Sequence, residues 1–146
     1  MTIKDIITMF KEESQSKVSD AHIIQWFNEC EDEVQEYLGL PLDERINYTE
    51  ADIADGATTK PIARTPYDKM YFFYLMARRD YANQEFENYA NHQSQYSALF
   101  ESYKLAAIRE KLVVSELPGK FKNVFEEVVK WHYKNLYIHL TEHPKE

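Results

Sequence analysis

Residues 65–82 read TPYDKMYFFYLMARRDYA, and this stretch decides the fold class. Thr65 is a capping residue type, Pro66 suits a first helical position, and Asp68 places an acid in the first turn. Tyr67, Met70, Tyr71, Tyr74, Ala77, Arg78 and Tyr81 follow along one side, while Phe72, Phe73, Leu75 and Met76 fill much of the rest. A helix that is apolar nearly all round is covered on several sides, by its own domain or by a neighbouring subunit. The stretch therefore predicts a buried helix in an all-α bundle.

Downstream, the pattern turns polar at Asn83, Gln84, Glu85, Asn88, Asn91 and His92, then resumes with Tyr96, Leu99, Phe100, Tyr103, Ala106 and Ala107. Either one helix kinks near Asn88 to Asn91 or two helices meet there; two antiparallel helices are the preferred reading. Pro118-Gly119 breaks the chain. Phe121, Phe125, Val128, Val129, His132, Leu136 and Leu140 then predict a C-terminal helix over about 120–143, before Pro144.

Upstream, Thr2 and Asp5 read as a helix start, and Ile3, Ile6, Ile7 and Phe10 mark one helical face that fades near Ser14. Ser19 caps a second helix with the stripe Ile23, Ile24, Phe27, Cys30, Val34, Tyr37 and Leu38. Gly39 suits the left-handed residue that ends a helix, and Pro41 cannot continue it. Residues 40–64 have no sustained period and predict a long irregular connection. Ile46 to Thr49 has strand composition, but a lone strand needs a partner. The expectation is a single domain over 1–146, a bundle of four to five helices with this connection between the second and third.

Composition agrees. The chain has 146 residues, a net charge of −8 and a mean hydropathy of −0.61. Three glycines are few for a turn-dense β fold or a glycine-rich phosphate loop. One cysteine, Cys30, excludes an internal disulfide and a thiolate zinc site, and its place on the apolar stripe reads as a buried structural cysteine. Eleven of the 21 aromatic residues are tyrosines, which suit half-buried faces and protein interfaces. The longest apolar run, Met70 to Ala77, is short of the ~20 residues that span a bilayer. The N-terminus lacks the apolar core of a signal peptide, so the expected compartment is the cytoplasm.

Charge is uneven. From Glu29 to Asp55 the segment is −9, carried by residues including Glu29, Glu33, Glu36, Asp43, Glu44, Asp52 and Asp55, whereas Lys60 to Arg79 is +4. A solvated acidic face is the plainer reading. The sharper one pairs the acidic segment of one subunit with the basic start of the third helix of the next. Chemistry is sparse. His132, His139 and His143 share a helical face, but the first two are two turns apart, and no Glu and third ligand complete a zinc-hydrolase motif. The repeated Glu-x-x-His of a di-iron bundle is missing. Neither a cofactor nor a metal nor a catalytic role is expected.

The stretch 66–106, PYDKMYFFYLMARRDYANQEFENYANHQSQYSALFESYKLA, resembles small head–tail connector, or head-completion, proteins of long-tailed phages and prophages of Gram-positive bacteria. The matching residues are Pro66-Tyr67-Asp68, Tyr71, Tyr74-Leu75, Ala77, Asp80, Asn83, Glu85, Tyr89, Asn91, Tyr96 and Tyr103. Gln84 stands where the family leads one to expect glycine, and Arg79 where it leads one to expect an aliphatic residue. The resemblance covers roughly residues 1–110, and the final helix lies outside it. It implies a non-enzymatic helical subunit that assembles in the host cytoplasm and ends in the virion. There about a dozen copies ring the channel under the portal, contact the portal and the next connector or tail protein, and let DNA pass without specific binding. On this reading Tyr67, Tyr71, Tyr74, Arg78, Arg79, Tyr81, Glu85 and Tyr89 are the expected interface between subunits, and the acidic segment lines the channel. The alternatives are another phage morphogenesis protein, for tail completion or packaging, and a small helical metal-binding or adaptor protein.

Overall fold

A computed structural model of the chain describes residues 1–110. Among these residues are four α-helices and no strand: α1 (Ile3–Ser14), α2 (Asp20–Leu38), α3 (Lys69–Ala82) and α4 (Phe86–Glu110). The expected C-terminal helix, with His132, His139 and His143, lies outside the described residues.

The first two helices begin and end where their sequence signals stand. Thr2 and Asp5 form a reciprocal capping box at α1, and Ser19 accepts the His22 N–H at the start of α2. Gly39 takes the left-handed conformation at φ +78° that closes α2. The apolar stripes meet as expected: Ile3, Ile6 and Phe10 of α1 and Ile23, Phe27, Val34 and Leu38 of α2 are buried in one core.

The third helix starts later than expected. Thr65-Pro66 is a turn, not a cap and first helical residue, and α3 begins at Lys69 with Asp68 at its N-cap. The Thr65 hydroxyl donates to the Asp68 carboxylate at 2.9 Å, so the signal closes a turn ahead of the helix. The Met1 ammonium pairs with the same carboxylate at 2.9 Å, tying the start of α1 to the start of α3.

The polar stretch after α3 is indeed a junction between two antiparallel helices, but the turn is at Asn83-Gln84-Glu85. Asn88 and Asn91 lie inside α4. Ring pairs run in opposite senses along the two helices: Tyr67 meets Tyr103, Tyr74 meets Tyr96, and Tyr81 meets Tyr89. Helix α3 packs against α1, α2 and α4, which accounts for its nearly continuous apolar surface.

The connection over 40–64 contains two short 3-10 turns, Leu42–Glu44 and Glu50–Ile53. Between them, the stretch Ile46 to Tyr48 forms no strand and finds its partner in side chains of α2. Gln35 exchanges two hydrogen bonds with the Ile46 backbone, at 2.7 and 3.2 Å, and Asn28 does the same with Tyr48, at 2.9 and 3.0 Å. Two amide side chains thus supply what a neighbouring strand would otherwise give.

Candidate functional site

Asn28 and Gln35 flank a third polar residue on the same face of α2, Glu31, which is fully buried. Its Oε1 accepts the Tyr71 hydroxyl at 2.5 Å, and its Oε2 accepts the Tyr48 hydroxyl at 2.6 Å and the Ile62 N–H at 2.9 Å. The Tyr71 oxygen also accepts the Ala63 N–H at 3.0 Å, and its ring stacks on Phe27 at 4.8 Å. One carboxylate therefore joins α2, α3 and two separate points of the connection, its middle at Tyr48 and its end at Ile62. Burial pushes the Glu31 carboxyl up from its ordinary range, and the three donors oppose that rise. Burial, with the Glu31 charge beside them, raises the Tyr48 and Tyr71 hydroxyls far above theirs. This arrangement keeps protons in place. Its atoms are enclosed, and it joins helices rather than opening to a substrate.

A second buried carboxylate lies at the far end of α3. Asp80 is fully buried, with His92 Nδ1 at 2.6 Å and the Arg79 guanidinium at 3.0 Å. Glu85 extends the set, 3.7 Å from Arg79. These contacts clamp the α3–α4 junction. Cys30 is buried, and its thiol is raised well above the ordinary value by desolvation, as suits a structural cysteine. Among the described residues, no three His, Cys, Asp or Glu side chains converge as metal ligands, and no helix is long and apolar enough to cross a membrane.

The expected subunit interface divides into inward and outward residues. Tyr71 is wholly inside the core, and Tyr74 is buried with its hydroxyl donating to Glu29 at 3.3 Å, so neither presents a surface to a partner. Tyr67 is half-buried against Tyr103. Arg78 and Arg79 are engaged within the chain, Arg78 with Glu29 at 3.4 Å. Tyr81 is exposed, with Glu85 and Tyr89 half-buried close by. Phe86, which sequence reasoning passed over, is exposed beside them, its ring 5.8 Å from that of Tyr81.

The acidic segment is likewise largely tied to its own chain. Glu29 meets Arg78, Glu33 accepts the Tyr96 hydroxyl, Glu36 pairs with Arg45 at 2.7 Å, and Asp55 pairs with Lys4 at 3.0 Å. Asp52 caps the second 3-10 turn and accepts the Thr59 hydroxyl. Glu44 is half-buried, and Asp43 is exposed. Arg78 and Arg79 thus have acidic partners within their own chain, while Lys60 and Lys69 of the same basic stretch are exposed. Acidity remains on the surface at Asp32, Glu33, Glu36, Asp43 and Glu50.

Compared with protein-family models, curated proteins and solved structures, the chain has no match.

Proposed function

We propose that this chain is a non-enzymatic structural subunit of a phage head–tail connector. Copies of it form a ring under the portal, extend the DNA channel and dock the next connector or the tail. It assembles in the host cytoplasm and stays in the virion. The observation that carries the reading is the exposed aromatic end of the α3–α4 hairpin, Tyr81 with Phe86. It falls within the 66–106 stretch whose spacing resembles connector proteins, and clustered exposed aromatics suit protein contact. The surface acids support the same reading, because a like-charged wall lets DNA pass without phosphate contacts.

The test is native mass spectrometry of the purified chain over a concentration series at low and high salt, with co-sedimentation on portal-bearing capsids. A ring of many copies, or saturable binding to those capsids, is the expected result. A chain that neither self-associates nor binds the capsids overturns the proposal.

A further inference from the structure

The end of the α3–α4 hairpin is an aromatic knob. Tyr81 and Phe86 are each 58% exposed, and the Tyr81 ring also meets that of Tyr89 at 5.4 Å. Further along the same hairpin, a groove of about 500 Å³ opens where α1, α3 and α4 come together. Met9, Phe72, Phe73 and Met76 give it an apolar, sulfur- and ring-rich lining, a combination that accepts aromatic side chains well. Lys69, Glu13 and His92 are its charged and imidazole groups.

Knob and groove cannot meet within one chain. On α3 the groove residues Phe73 and Met76 lie about 12 and about 7.5 Å from Tyr81 along the axis at 1.5 Å per residue, and the rigid hairpin fixes that separation. A knob and a socket held apart on one rigid body make a head-to-tail contact, which propagates from copy to copy and closes into a ring when the rotation per copy permits. The charges agree with this docking. Glu87, beside Phe86, and Lys69, on the groove, are both exposed, and neither is ion-paired among the described residues. Glu13 on the α1 side of the groove repels the same acid and so fixes which way round the knob enters.

We propose that the Tyr81–Phe86–Tyr89 knob of one copy seats in the α1–α3–α4 groove of the next, with Glu87 facing Lys69. This rests on the ring-subunit reading and names its interface. The experiment measures self-association of the full chain by native mass spectrometry and sedimentation, alone and on portal-bearing capsids. The variants are Phe86→Ala, Lys69→Glu, Glu87→Lys and the double reversal, with circular dichroism to confirm the fold. The expected result is association weakened about tenfold or more by each single change and largely restored by the double reversal. A Lys69→Cys, Glu87→Cys chain should also form a ladder of disulfide-linked copies on oxidation, Cys30 being buried out of reach. Rings that no single change weakens, with no cross-linked ladder, overturn the interface and leave the connector reading standing. Capsid binding by a chain that never self-associates overturns the interface alone. The absence of both overturns the two together.

Discussion

Glu31 follows Phe27 by four residues and precedes Val34 by three, so the helical period itself places an acid on the apolar stripe of α2. That signal was present in the sequence but was submerged in the charge of the 29–55 segment. What no spacing shows is that its partners are Tyr48, Tyr71 and the Ile62 N–H, 17, 40 and 31 residues away. Glu31→Ala removes the only shared acceptor of three buried donors and should cost about 3 kcal/mol or more in denaturant unfolding. Glu31→Gln, which keeps the shape and most of the pairing, should cost about 1 kcal/mol. The two also separate by pH. Because the Glu31 carboxyl is raised in the folded chain, the native state holds this proton more tightly than the unfolded state does. Its contribution to stability is therefore full below the ordinary glutamate range and shrinks as pH rises through and above it. The advantage of wild type over Glu31→Gln should accordingly be larger at pH about 4 than at pH about 8, and unfolding midpoints at the two values check it. Gln84 is a simpler case. It sits at φ +60°, closing α3 with its N–H on the Tyr81 carbonyl and the Glu85 N–H on that of Asp80. Glycine adopts this conformation without strain, which gives a physical reason for the glycine that the resemblance leads one to expect there. Gln84→Gly should raise stability by about 0.5–1 kcal/mol, read as a higher denaturant midpoint with an unchanged slope.

At the scale of elements, caps and stripes located α1 and α2 because those signals act within a few residues of where they stand. The start of α3 and the junction after it were displaced for a related reason. Thr65 and Asp68 bond each other in a turn, and the asparagines after Glu85 read as breakers although α4 tolerates them on its exposed face. The connection over 40–64 is the element that periodicity described least well, since its order comes from α2. Asn28, Glu31 and Gln35 recur at helical spacing and hold Ile46, Tyr48 and Ile62. An unperiodic segment of this length would ordinarily be the most open part of the surface. Here it should resist trypsin at Arg45 nearly as well as the helices do. Replacing both Asn28 and Gln35 with alanine removes four hydrogen bonds to its backbone. Cleavage at Arg45 should then speed up by about tenfold or more while the helical circular dichroism is largely kept, because about 1.4 kcal/mol of local opening energy corresponds to each factor of ten.

For the whole molecule, the all-α class was legible because α3 is apolar on almost every side and so requires neighbours all round. The direction each tyrosine faces was not, because their partners are set by how the helices pack. Tyr74 reaches Glu29, Tyr96 reaches Glu33 and Tyr37 reaches the Lys104 carbonyl, pairs 45 to 67 residues apart. The same packing makes the tyrosines a probe of the entire bundle. Tyr48, Tyr71, Tyr74, Tyr96 and Tyr103 come from the connection, α3 and α4, and desolvation is the largest cause raising the hydroxyl of each above its ordinary value. Acidic neighbours add to the rise at all five, Glu31 at Tyr48, Tyr71 and Tyr103, Glu29 at Tyr74 and Glu33 at Tyr96. In the unfolded chain these groups ionise near pH about 10. The folded state holds their protons beyond that point, so each contributes stability that is complete below pH about 10 and falls as the pH climbs past it. Five such groups in one core make the loss steep. These tyrosines should therefore ionise together with unfolding rather than one by one. In an alkaline titration, the late portion of the tyrosinate absorbance should rise in a single sharp step coincident with the loss of helical circular dichroism. Tyr71→Phe removes one of the five but deprives Glu31 and the Ala63 N–H of a partner, so its step should come at lower pH. A gradual rise, with the helices intact while all five ionise, would show that the core admits water to its hydroxyls.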